Sequence, residues 1–139
     1  MIILVDTNVI LDFFLARAPH QCTAVKVFEL IYQEKLTALT TASSITDIYF
    51  ITAKRLGDKA ARSVLVDLFN ILGVITVTGD DCVAALQLPI SDFEDALVSA
   101  CASKKQVDWI VTNDQSFLKI DKSLAPVIST ADFLAQWSK

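Results

Sequence analysis

A chain of 139 residues, 53% of them hydrophobic, has the size of one domain and ample apolar side chains for its core. Its net charge of −4 and pI near 4.8 exclude a broadly basic nucleic-acid surface, though not a local basic strip. No apolar run approaches the ~20 residues of a membrane span, and nothing resembles an export signal, so a cytoplasmic, membrane-free protein is expected.

Taken in chain order, the first element is a strand over residues 2–5, Ile2-Ile3-Leu4-Val5, β-branched and wholly apolar as buried parallel strands are. It delivers Asp6 to its carboxyl end, the place where open α/β sheets hold their ligands. Helical spacing of Val9, Ile10, Phe13 and Phe14 predicts a helix over 8–17, and Val25, Phe28, Ile31 and Tyr32 predict another over 21–34. Residues 36–41 alternate like a short strand. Helices are expected over 44–56 and 58–72, with Gly57 as a C-cap between them. A strand over 74–77 and a short helix over 80–87 follow. Ser91 is expected to open a helix that runs to 105. Strands over 108–112 and 127–128 and a terminal helix over 130–137 complete the chain. Strands alternating with helices specify an α/β fold: one domain over 1–139, a central parallel sheet between layers of helices. The three cysteines, Cys22, Cys82 and Cys101, have no metal-binding spacing and read as small core hydrophobes in a reducing compartment.

The acids carry the functional reading. Asp6 either caps the following helix or serves a site. Asp114 ends a second apolar strand, Trp109-Ile110-Val111, through Thr112-Asn113, and is a turn residue or a partner of Asp6. Asp47 has a structural alternative as the N3 acid of a capping box opened by Ser44. With Ser91 as N-cap, Glu94 closes a capping box, while Asp92 and Asp95 share a helix face and one or both are free for another task. Carboxylates gathered together repel unless a cation intervenes, and oxygen ligands without Cys or His select Mg²⁺ or Mn²⁺. Phosphodiester hydrolysis is the natural chemistry of such a centre. A serine triad is unsupported with His20 as the lone histidine, and no glycine-rich loop exists to cradle a nucleotide.

Four segments in order, Val5-Asp6-Thr7-Asn8-Val9-Ile10-Leu11-Asp12, Ser44-Ile45-Thr46-Asp47-Ile48-Tyr49, Asp92-Phe93-Glu94-Asp95-Ala96 and Ile110-Val111-Thr112-Asn113-Asp114, resemble the PIN-domain family, which includes the toxin ribonucleases of bacterial toxin–antitoxin pairs. The resemblance implies a three-layer α/β/α fold and a Mg²⁺- or Mn²⁺-dependent endoribonuclease acting on single-stranded RNA. It makes Asp6, Asp95 and Asp114 the metal-site acids. Asp47 stands where the family usually has glutamate and would act through a water. Thr7, Asn8, Thr112 and Asn113, with Asp92, would orient the carboxylates. Asp12 is expected to face solvent or cap a helix. Lys54, Arg55, Lys59 and Arg62 are either guides for the strand or a solvated helix face. An antitoxin partner is implied. A homodimer is expected from the apolar excess, with Phe28, Ile31, Tyr32, Leu65, Phe69 and Leu72 as its candidate surface. Rival readings are a catalytically silent PIN-like module that binds RNA or protein, and a phospho-acceptor receiver domain, which lacks its paired acid here.

Overall fold

The computed structural model describes all residues 1–139. Five strands, β1 (Ile2–Val5), β2 (Thr37–Thr41), β3 (Gly73–Ile75), β4 (Trp109–Val111) and β5 (Val127–Ile128), form one sheet in the order β3-β2-β1-β4-β5, every pair parallel. The helices are α1 (Thr7–Phe14), α2 (Gln21–Tyr32), α3 (Ala42–Leu56), α4 (Asp58–Ile71), α5 (Gly79–Leu86), α6 (Phe93–Lys105), α7 (Gln115–Leu118) and α8 (Thr130–Trp137).

Strand alternation divides the core in two. Ile3 and Val5 of β1, Ala38 of β2 and Val111 of β4 pack against α1, α2, α3, α4 and α8, burying Ile10, Phe28, Ile48, Leu68 and Phe133. Leu4 and Ile110 face the opposite way, onto Val98, Cys101 and Ala102 of α6 and Phe117 of α7. The fold is therefore three-layered, α/β/α, as expected. The strand order sets the site. The chain builds outwards from β1 to β2 and β3, then returns to place β4 and β5 on the other side. The carboxyl ends of β1 and β4 thus flank the point where strand order reverses, and a crevice opens there.

Two helix starts differ from the sequence expectation. α3 begins at Ala42, with Thr41 as N-cap accepting from the Ser44 backbone N–H, so Ser44 opens no capping box and Asp47 lies beyond the first turn. Strand β2 runs into α3 without a loop, and its last residue doubles as the cap. α6 begins at Phe93 with Asp92 as N-cap, displacing Ser91, so N3 is Asp95 and not Glu94. The one-turn helix α7 was not anticipated. Gly57 ends α3 as expected, at φ 93°, a conformation that side chains with a Cβ resist. Of the cysteines only Cys101 is a core residue; Cys22 is exposed and Cys82 half-buried, and all three are free thiols.

Candidate active site

Asp6 leaves β1 as its last extended residue and caps α1. Its backbone N–H donates to Val111 O at 3.0 Å, which ties the ends of β1 and β4 together. Its carboxylate accepts from three donors. The Thr7 backbone N–H reaches Oδ1 at 2.9 Å; Asn8 Nδ2 and Thr112 Oγ1 reach Oδ2 at 3.0 and 2.8 Å. Asn8 Nδ2 also donates to Thr112 Oγ1, and the Asn113 backbone N–H donates to Asn8 Oδ1 at 2.9 Å. Asn113 Oδ1 in turn accepts from the backbone N–H and hydroxyl of Thr130 at 3.2 and 3.1 Å. Thr7, Asn8, Thr112 and Asn113 thus join one network that fixes the Asp6 carboxylate. The N-cap role and a role in a site are compatible, because capping occupies one oxygen and the other faces the crevice network.

Asp114 follows two residues after Thr112, to which its backbone N–H donates at 3.2 Å, and its Oδ1 accepts from Ser116 N and Oγ at 3.0 and 2.8 Å as it caps α7. Asp95 is held indirectly: its backbone N–H donates to Asp92 Oδ1 at 3.0 Å, so Asp92 fixes the helix start that presents it. Asp6, Asp47, Asp95 and Asp114 all line one cleft of about 390 Å³, with Thr7 and Asn8. Glu94 lines it too. The sequence pattern assigns Glu94 to a capping box opened by Ser91, whereas the cap is Asp92, which leaves Glu94 free to face the cleft. A larger cavity of about 830 Å³ lies between α7, β5 and α8, but among acids only Asp132 lines it, and the functional reading rests on the smaller cleft.

The electrostatics of the cleft record the crowding. Burial raises the Asp6 carboxyl above the usual 3.8, its three hydrogen bonds pull it back, and the Asp114 charge adds to the rise. Burial likewise pushes Asp95 up to about 7, helped by the charges of Asp92, Asp6 and Asp114. Glu94 is pushed up to about 7, first by the adjacent Asp47 side chain, which favours its protonated form, then by burial and the charges of Asp47, Asp92 and Asp6. No three Asp, Glu, His or Cys side chains stand as a ready-made metal cage. The donor set still suits a hard divalent ion: Mg²⁺ typically takes one or two carboxylates, keeps several waters and needs no all-protein cage. A cation here would relieve repulsion that the protein itself leaves uncompensated.

Asp12 is not a solvent-facing acid: it is 6% exposed and pairs with Arg17 at 2.8 Å. Arg17, unremarked in the sequence, lines the acidic cleft, whereas Lys54, Arg55, Lys59 and Arg62 do not. Arg62 is engaged with Asp58 and lies 5.7 Å over the Tyr49 ring. No helix is long and apolar enough to cross a membrane.

The chain resembles known proteins across this same architecture. It is 29% identical over 141 aligned residues to Ribonuclease VapC1 of Aquifex aeolicus, covering 98% of this chain and 95% of the relative. VapBC2 of Rickettsia felis, solved bound to a DNA fragment from its promoter, superposes with a TM-score of 0.70 at 16% identity over 93% of this chain and 98% of that one. VapC20 of Mycobacterium tuberculosis gives 0.69 at 21% identity over 84% and 92% of the two chains. The family model described as the PIN domain matches residues 2–116, which hold all five strand-end and helix-borne acids of the cleft. The chain belongs to the PIN-domain family.

Proposed function

We propose that this protein is a divalent-metal-dependent endoribonuclease that cleaves single-stranded RNA and serves as the toxin of a toxin–antitoxin pair. The observation that carries the reading is the cleft of five acids at the β1/β4 strand ends, centred on a carboxylate held by three donors. Its family membership and its likeness to a relative named as a ribonuclease support the activity. Its likeness to VapC20, titled a Sarcin-Ricin loop cleaving toxin, and to a toxin–antitoxin complex from Klebsiella pneumoniae supports the toxin role.

In this reading Asp6, Asp95 and Asp114 hold Mg²⁺ or Mn²⁺. When bound, the ion supplies positive charge against phosphoryl oxygens and lowers the pKa of water for attack on phosphorus. The protein's own contribution is orientation. Thr7, Asn8 and Thr112 fix Asp6, Asp92 fixes Asp95, and Ser116 fixes Asp114. Asp47 and Glu94 both line the cleft, and Glu94 supplies there the longer acidic side chain that the family usually has at position 47. A glutamate in the cleft weakens the rival reading of a silent binding module, which rests on Asp47 alone.

The antitoxin is proposed to seat an arginine against the acids, in competition with the metal. Calorimetric titration of the protein encoded by the adjacent gene should show affinity falling as Mg²⁺ rises. Tight binding indifferent to Mg²⁺ and to Asp6→Asn would place inhibition elsewhere. The activity itself is tested by incubating purified protein and labelled single-stranded RNA with Mn²⁺. Cleavage that EDTA abolishes is expected, and no cleavage under Mn²⁺ or Mg²⁺ would favour the silent module.

A further inference from the structure

Arg17 is the only cation among the residues lining the acidic cleft, and it is held there by design of the local chain. The connection after α1 returns so that its backbone N–H donates to Asp12 O at 3.1 Å. Its Nε donates to Asp12 Oδ1 at 2.8 Å and its Nη2 to Asn8 O at 3.3 Å. Asp12 is 6% exposed, so this carboxylate is committed to its partner. A guanidinium has five N–H donors, and the two bonds made here leave three without a protein partner. The side chain keeps 32% of its surface open. A planar cation that is immobilised on one edge and open on the other is pre-organised for a phosphate, which accepts from it along two parallel N–H bonds. Asn8, whose carbonyl Arg17 engages, is the same residue whose side chain holds Asp6. The cation and the central acid are therefore set by one short segment, residues 6–17.

We propose that Arg17 binds an RNA phosphate at the mouth of the cleft and brings an otherwise repelled polyanion up to five carboxylates. Asp12 is a positioning residue that acts through Arg17. This deepens the ribonuclease reading and rests on it. The alternative is a purely structural clamp that closes the turn between α1 and α2.

The test is binding of a fluorescein-labelled single-stranded RNA by fluorescence anisotropy, in an Asp6→Asn background that prevents cleavage, over a series of KCl concentrations. Arg17→Ala should weaken binding by about tenfold or more. It should also reduce the slope of log affinity against log salt by about 0.7, the value of one lost phosphate contact on a single strand. Arg17→Lys should keep the slope. Because Arg17→Ala leaves Asp12 buried without a partner, the pair Asp12→Asn with Arg17→Gln is the second variant: it preserves a neutral clamp, and circular dichroism confirms the fold. It should lose the same slope as Arg17→Ala. In cleavage by the otherwise native protein, KM should rise more than kcat falls. An unchanged slope in the neutral pair overturns the proposal and leaves Arg17 a clamp, with the ribonuclease reading intact. Absence of RNA binding by the Asp6→Asn protein at every salt concentration overturns both.

Discussion

Asp6 accepts three hydrogen bonds and still has its carboxyl raised, because burial outweighs the donors and Asp114 adds a like charge. Asp95, 8% exposed, shows the cost more plainly, moving from the ordinary 3.8 to about 7. A carboxyl whose pKa rises on folding binds more protons folded than unfolded across that interval. Its contribution to stability is most favourable below the unfolded value and is lost as pH rises through about 7. The metal-free protein should therefore melt at falling temperatures between pH 5 and pH 8, by an Asp95 contribution on the order of 2–4 kcal/mol. Asp95→Asn should flatten that profile in calorimetry, and an unchanged profile would count against the crowding. Added Mn²⁺ should raise the melting temperature more at pH 8 than at pH 5. Asp47→Asn should reduce cleavage less than Asp6→Asn does, and Glu94→Gln should reduce it as well; an indifferent Glu94→Gln removes Glu94 from the site. At this scale the sequence was legible where an acid ends a buried strand, as Asp6 and Asp114 do. It was not legible for Glu94 or Arg17. Glu94 matched a capping pattern, and Arg17 becomes part of the cleft only because the chain turns back onto Asp12.

The helix termini show why acids at element boundaries are hard to read. Asp92 and Ser91 are both good N-caps, and a shift of one residue exchanges which acid points at a backbone N–H and which is free. The one chosen, Asp92, accepts from the Asp95 backbone N–H and so orders the turn that carries Asp95. Asp92→Ala should cost about 1 kcal/mol of stability. It should also lower cleavage, while Asp92→Ser should recover most of both; full activity in the alanine variant would show that the cap does not position Asp95. The α3 start was misplaced for a different reason. No polar loop separates β2 from α3, so Thr41, Ser43 and Ser44 all offer a hydroxyl for one cap, and in the fold the Thr41 hydroxyl bonds to those of both serines. Element identities were otherwise clear because the apolar period switches from two to 3.6 at each boundary.

Over the whole molecule, the parallel three-layer fold followed from alternating strands and helices, and the β1/β4 crevice followed from the fold. What composition did not resolve was which apolar residues the monomer keeps. Phe28, Ile31 and Leu72, expected at a dimer surface, are 0%, 5% and 4% exposed and belong to the core. Tyr32 and Phe69 remain open, joined by Phe50 on α3 and Val66 on α4. A homodimer through these exposed positions is the proposal that remains. Light scattering should give about twice the 15.2 kDa chain mass. Phe69→Asp should return it to one chain mass, and a monomer of the native sequence at micromolar concentration would refute the dimer. The β1/β4 crevice is proposed as the catalytic centre. The most direct measurement is the rate of Mn²⁺-dependent cleavage of a single-stranded RNA by the native protein and by Asp6→Asn, both purified and shown to be folded. The expected result is loss of cleavage by about a hundredfold or more in the variant, as removal of one group that stabilises transition-state charge typically causes. Native-level cleavage by Asp6→Asn would contradict the assignment.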